Sequence, residues 1–209
     1  QNLEIKPIQL DAQTRNMLTD QSPWPGLAAY DEAASEFFYG RKEEALELFR
    51  MIRLSPLTAL FGKSGLGKTS LLQAGLYPLL RAEHYFPVHL RIDLAAATAI
   101  SPLDLILQQL VRALLATQVE YPLPHESEGL WRYLHRRDLE IWSKDNYLLK
   151  PVLIFDQFEE VFAKGESNPI AMQSTLDALA DLLRSLIPPK LTPGDAHPHL
   201  FSDLDLPAQ

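Results

Sequence analysis

The chain of 209 residues contains no cysteine. That removes disulfides, thiolate metal ligands and cysteine nucleophiles together, and it fits a reducing compartment. No apolar run approaches the roughly 18 residues of a membrane-spanning helix, and no charged-then-apolar leader opens the chain. A cytoplasmic location without a membrane partner is the expectation. Positive charge is in the minority, 19 Lys and Arg against 27 Asp and Glu, for a formal net charge of -8. That balance disfavours nucleic acid as the main partner. The chain starts at Gln1 without a methionine, so a longer parent protein is expected. Glycine is scarce too, nine in all, yet three of the nine fall within residues 62–67.

Those three glycines sit inside the most informative stretch, residues 57–80. Leu57 to Phe61 is a short apolar run that reads as a buried strand. It stops at Gly62; Lys63, Ser64, Gly65, Leu66, Gly67, Lys68 and Thr69 follow, then a leucine-rich helical pattern beginning with Ser70. The spacing G-x-x-x-x-G-K-[ST] between a strand and a helix is that of the phosphate-binding P-loop. Glycines allow successive backbone N–H groups to turn inward around an anion, and the next helix directs its positive end at the same point. Gly62 through Ser70 are therefore the expected nucleotide-binding set. Lys68 would reach the β- and γ-phosphates, and the Thr69 hydroxyl would ligate Mg²⁺.

Residues 1–26 read as a leading segment or linker, since Ser22-Pro23-Trp24-Pro25-Gly26 excludes a helix. From Asp31 the pattern is helical, and Phe37, Phe38 and Tyr39 cluster before Gly40. Arg41-Lys42-Glu43-Glu44 opens a second helix with Ala45, Phe49 and Ile52 on one face, widened by Leu46 and Leu48. Ser55-Pro56 ends it. After the P-loop helix, residues 86–93 alternate Val88, Leu90 and Ile92 on one face of a strand. Ser101, Pro102 and Asp104 supply a cap, a first-turn proline and a first-turn acid for a well-buried helix striped by Leu103, Ile106, Leu107, Leu110 and Leu114. Residues 118–129 read as a loop, and Leu130 to about Ser143 as another helix. Its basic run, Arg132, His135, Arg136 and Arg137, reads as a solvated face paired locally with Asp138 and Glu140 rather than as a phosphate or nucleic-acid contact.

A second nucleotide signal lies at Val152-Leu153-Ile154-Phe155, an apolar strand ending in Asp156. Such a Walker B-like carboxylate can hold Mg²⁺. Glu159 or Glu160 is the candidate base that polarises the attacking water. Gln157, not an acid, directly follows Asp156, which weighs against hydrolysis more than against binding. A final amphipathic helix spans residues 169–187. From Pro188 the chain reads as a Pro-rich tail; His197 and His199 there lack a third ligand nearby. The order of strands and helices predicts an α/β layered fold with a parallel sheet.

The run Phe38-Tyr39-Gly40-Arg41-Lys42-Glu43-Glu44, shortly before a P-loop strand, resembles the STAND class of signal-transduction NTPases. The larger frame is similar to the bacterial novel STAND NTPases: Pro25-Gly26-Leu27, Glu36 through Arg41, the P-loop, Leu71 through Leu80, and Val152 through Phe162 with its Gln157 and paired glutamates. The likeness covers roughly residues 23–165. It implies a P-loop NTPase-like three-layer α/β/α parallel sheet, ATP or ADP with Mg²⁺ as ligands, and Gly40 and Arg41 beside the base and ribose. As partners it implies self-association, or effector and sensor domains in a longer protein.

The resemblance also implies a strand between the Walker A and Walker B strands, following the latter in sequence and ending in a sensor residue. Residues 199–206 are the only candidate, and a poor one. The core, residues 27–187, is thus expected to be incomplete, with residues 188–209 a tail. Either 57–61 and 152–155 pair directly or the missing strand comes from elsewhere. Nothing singles out an arginine finger among Arg81, Arg91 and the 132–137 cluster. Such a residue is worth about 10³- to 10⁵-fold in rate, so slow or partner-dependent hydrolysis is expected. The expected function is an ATP- and Mg²⁺-binding nucleotide switch of the STAND type. The alternatives are a non-catalytic truncated scaffold, or an enzyme of another class such as a small-molecule kinase or an AAA-type DNA-remodelling ATPase.

Overall fold

The computed structural model describes residue 18 and residues 22–92, 101–126 and 128–184. The tail, with His197, His199 and the strand candidate 199–206, lies outside the described residues, as does most of the leading segment. Among the described residues the architecture is mixed α/β, seven helices and a four-stranded mixed sheet, compatible with an α/β NTPase-like fold.

A 3₁₀ turn, Glu32–Phe37, is capped by the Asp31 carboxylate, which accepts from the Ala34 N–H at 3.1 Å. Helix α1, Lys42–Leu54, buries Ala45, Leu48 and Phe49, the face its spacing predicts. The helix after the P-loop is continuous but changes pitch: α2 (Lys68–Ser70), a π-helical stretch (Leu71–Leu76) and α3 (Tyr77–Ala82). Gly75 lies in the π stretch, where an added Cβ would stand 3.1 Å from Ala45 Cβ and 3.3 Å from Phe38. Close approach of α1 to this helix requires the missing side chain.

Strand β1, Tyr85–Leu90, runs parallel to β4, Leu148–Phe155, with Leu90 opposite Phe155. Between them in sequence come α4 (Pro102–Leu115), β2 (Val119–Glu120), α5 (Leu130–Leu134) and β3 (Ile141–Ser143). The α4 cap is as expected, the Ser101 hydroxyl accepting from the Leu103 N–H. The strand order is β1-β4-β3-β2. Helices α6 (Glu159–Gly165) and α7 (Pro169–Arg184) follow.

Alternation along β4 splits the core in two. Leu149, Leu153 and Phe155 join the cluster of Phe86, Val88, Leu90, Ile106, Leu110, Leu114 and Tyr133. Val152 and Ile154 join the cluster of α1 and the P-loop helix, with Leu48, Phe49, Leu76 and Leu80. The β1–β4 ladder is therefore packed on both faces.

Four expectations need correction. The sheet is mixed, because β4 pairs antiparallel with β3 and β3 antiparallel with β2. The helix expected over 130–143 stops at Leu134. Ile141 and Trp142 instead pair with Leu149 and Leu148 across a turn in which Asn146 takes φ 59°, a conformation asparagine tolerates. The run 57–61 is not a buried strand: it forms no ladder, and Leu57 and Phe61 are 61% and 89% exposed. Nor does it pair with β4, whose ladder to β3 involves only Leu148 and Leu149.

Nor is the basic run wholly a solvated face, although Arg137 is exposed and Arg136 makes the expected local pair with Asp138. The Arg136 side chain is buried; it donates to Glu128 at 3.2 Å and to the Leu123 carbonyl at 3.0 Å, and it pairs with Asp138. The hydrogen bond from Arg136 holds the Asp138 carboxyl below its usual range. Glu128 is equally buried; Arg132 stands 3.9 Å from its second oxygen, too far for a hydrogen bond. Removing Arg136 would strand a buried carboxylate. Arg136→Ala is expected to lower unfolding free energy by about 3–5 kcal/mol, and Arg136→Met with Glu128→Leu to recover most of it. Urea denaturation checks both; a loss under about 1 kcal/mol for the single variant would contradict the assignment.

Candidate nucleotide and cation site

Each segment of the P-loop is placed by a local cause. Pro56 ends α1, and the chain then travels to a loop in which Gly65 and Gly67 take φ of 80° and 71°. Glycine adopts this left-handed region without the clash a Cβ brings. At Gly67 space is limited as well, since an added Cβ would stand 3.4 Å from Arg41 Nη1. Lys68 then starts α2. Its ammonium folds back over the loop, donating to the Gly62 carbonyl at 2.7 Å and the Lys63 carbonyl at 3.2 Å.

Two further residues fasten the loop from outside. Arg41 donates from Nη1 to the Leu66 carbonyl at 2.8 Å and from Nε to both Glu44 oxygens at 3.2 Å. Gly40, beside it, takes φ 83°. Ser70 is buried, and its hydroxyl accepts from the Tyr30 N–H at 3.1 Å. Arg41 in this structure thus clamps P-loop carbonyls.

Asp156 reaches the same place from the end of β4. Its amide donates to the Leu90 carbonyl at 3.0 Å, continuing the parallel ladder one residue past the strand. The Thr69 hydroxyl donates to Asp156 Oδ2 at 3.0 Å, joining positions 87 residues apart. The other oxygen, Oδ1, accepts from the Gln157 N–H at 2.9 Å. Gln157 itself has φ 56°, an unusual conformation for a non-glycine residue.

The two glutamates of α6 differ. Glu160 is held by Arg91 at 2.8 Å and Lys164 at 2.9 Å. Glu159 is exposed, and among the described residues no ion pair or side-chain hydrogen bond engages it. Of the arginines considered as fingers, Arg81 pairs with Glu32, Arg91 with Glu160, and Arg136 is buried.

Sequence reading missed two residues at the site. The Tyr77 hydroxyl lies 3.0 Å from His89 Nδ1, and His89 Nε2 lies 3.8 Å from Asp156 Oδ2. One signal was available: His89 falls on the face of β1 opposite Val88 and Leu90, one residue before the strand's end. Burial, then the Asp156 and Glu32 carboxylates, push the Tyr77 hydroxyl well above the ordinary phenol range, against the opposing effect of Arg81.

The donor set fits a magnesium ion. Mg²⁺ takes hard oxygen ligands at 2.0–2.1 Å in octahedral geometry, so neighbouring ligand oxygens stand about 3 Å apart. Thr69 Oγ1 and Asp156 Oδ2 have that separation. Mg²⁺ also keeps several waters and uses only one or two protein groups plus phosphate oxygens. When bound it would neutralise phosphate charge. The loop itself supplies a conformational check. Gly67→Ala is expected to lower stability by about 1–2 kcal/mol, the cost of a left-handed non-glycine residue. Thermal denaturation reads it, and an unchanged midpoint would contradict the left-handed assignment.

Comparison with known proteins gives a consistent result. No curated protein and no solved structure matches the chain. The family model described as Novel STAND NTPase 1 matches residues 23–191, spanning the 3₁₀ turn, the P-loop, Asp156 and α7. The chain belongs to the novel STAND NTPase family.

Proposed function

We propose that this chain is the ATP- and Mg²⁺-binding switch module of a STAND-type signalling protein. The observation that carries the reading is the 3.0 Å contact between Thr69 and Asp156 beside the P-loop lysine. In a P-loop NTPase those two residue types share one cation, and the lysine neutralises the β- and γ-phosphates. Lys68 now spends its donors on the neutral Gly62 and Lys63 carbonyls, so a polyphosphate would replace those acceptors with anionic oxygens that also neutralise the ammonium. The three-layer P-loop frame is part of the proposal, supported by the packing of β1 and β4 on both faces.

STAND NTPases generally act within multidomain proteins that carry effector and sensor domains. A nucleotide switches such a protein only through differential affinity for its two states. Arg41 offers a route. It grips both the P-loop and Glu44 of α1, so a loop that closes on phosphate would pull on α1.

Hydrolysis is assigned the lesser part. Glu159 is the better candidate base, because Glu160 is neutralised by Arg91 and Lys164. Arg81, Arg91 and Arg136 are each engaged in ion pairs, so slow or partner-dependent turnover is the expectation.

Calorimetric titration with ATP and with ADP in Mg²⁺ tests the reading. Saturable heats are expected for the parent chain, with affinity at least about tenfold weaker in Lys68→Ala, the loss of roughly one charge-assisted contact. Heats identical in the two proteins would overturn it. Phosphate release is expected to be slow, and slower again in Glu159→Gln than in Glu160→Gln. The reverse order would assign the base to Glu160.

A further inference from the structure

Arg41 lies 25 residues before Leu66, yet its Nη1 donates to the Leu66 carbonyl at 2.8 Å. Nε of the same rigid guanidinium donates to both Glu44 oxygens at 3.2 Å. The bond to Leu66 fixes more than a carbonyl. The peptide is trans and planar, with its C=O and its N–H directed oppositely. A Leu66 carbonyl turned to Arg41 therefore turns the Gly67 N–H away from it. Among the described residues that N–H meets no acceptor.

Little else holds this peptide in one orientation. Leu66 is more than half exposed, so packing does not anchor it. Gly67 has φ 71°, and a half-turn of the peptide would carry it to negative φ, which glycine adopts about as readily. The half-turn exchanges the two groups, leaving a carbonyl oxygen where the N–H had been. An oxygen there would repel the phosphate that an N–H would bind. The bond from Arg41 thus chooses between a loop that accepts an anion and one that rejects it. Glu44, three residues on in the chain, chooses among the many rotamers open to the arginine.

We propose that Arg41 and Glu44 are positioning residues for the phosphate cradle: Glu44 aims the guanidinium, and the guanidinium holds the Leu66–Gly67 peptide with its N–H presented to the nucleotide's phosphates. This rests on the reading of Gly62 to Thr69 as the nucleotide site. It goes beyond a pull on α1, because affinity for phosphate itself then depends on two residues outside the P-loop. Apparent affinity falls with the fraction of loops in the competent orientation. A place beside the base and ribose, which the family resemblance implies for Arg41, predicts something different: a ligand without a base would not sense the arginine. The ion pair of Arg41 and Glu44 is partly exposed, and such pairs add little to stability, so neither residue is needed for folding.

The test titrates inorganic tripolyphosphate and ATP, each with Mg²⁺, into the full chain and two variants by calorimetry. Arg41→Ala is expected to weaken both ligands by a similar factor, about tenfold, the worth of one hydrogen bond from a charged donor. Glu44→Ala separates position from charge. It removes a negative charge beside an anion site, so electrostatics alone predicts tighter binding, whereas loss of aim weakens both ligands. The thermal midpoint of each variant is expected to stay near the parent's. Tighter or unchanged tripolyphosphate binding in Glu44→Ala would overturn the proposal. So would a loss in Arg41→Ala confined to ATP, which assigns the arginine to the base and ribose. Weakened binding with a midpoint well below the parent's in both variants marks a folding effect and would overturn it as well. A parent chain that binds neither ligand would overturn the nucleotide-site reading instead, and the positioning role with it.

Discussion

The site depends on the parallel register of β1 and β4 more than on any bond within it. Leu90 stands opposite Phe155, and the ladder's last bond, Asp156 N–H to the Leu90 carbonyl, delivers the carboxylate to the mouth of the P-loop. A single hydrogen bond such as Thr69 to Asp156 contributes only about 0.5–1.5 kcal/mol net, so it cannot hold two segments together unaided. The two packed faces of the ladder do that, and the contact between Thr69 and Asp156 reports their success. A shift of one residue in β4 would turn Asp156 to the opposite face of the sheet and send Ile154 into the wrong cluster.

The segment that leads into the loop is open to solvent. Leu57, Leu60 and Phe61 are exposed, and Met51, Leu54, Leu57 and Ala59 line an apolar groove around Ser55 and the buried, unpaired Thr58 hydroxyl. Beyond Leu149, β4 has a ladder partner on one side alone among the described residues. The family resemblance implies an additional strand between residues 57–61 and β4. Direct pairing of 57–61 with 152–155 is the arrangement the structure excludes. An unladdered segment still forms the P-loop because the loop is secured elsewhere: Arg41 holds Leu66, Lys68 holds Gly62, and Ser70 is tied to Tyr30.

Much of this was legible in the residues. Periodicity placed α1, β1, α4, β4 and α7, because each shows one face to one core. The Ser101 cap and the glycines at 65 and 67 were readable because their conformations have few alternatives. Reading failed where tertiary partners decide. Trp131 to Ser143 has helical spacing, yet Ile141 and Trp142 gain a ladder beside β4 that no local pattern announces. Arg136 looked solvated because its partner Glu128 lies across a turn, and burial of that pair cannot be seen in one dimension. Leu57–Phe61 reads as a buried strand because apolar runs report what a segment needs, and the neighbour that would bury it is not among the described residues. Tyr77 and His89 escaped notice since neither belongs to a motif; only the alternation of β1 set His89 apart.

The central claim is that P-loop and Walker B carboxylate form one cation-centred site. A crystal structure of the chain with Mg²⁺ and a non-hydrolysable ATP analogue tests it most directly. The account predicts a cation about 2.0–2.1 Å from Thr69 Oγ1, on the Asp156 side of the loop, with the Lys68 ammonium moved from the Gly62 carbonyl onto phosphate oxygens. Nucleotide bound elsewhere, or Lys68 and Thr69 keeping their present partners beside it, would contradict the account.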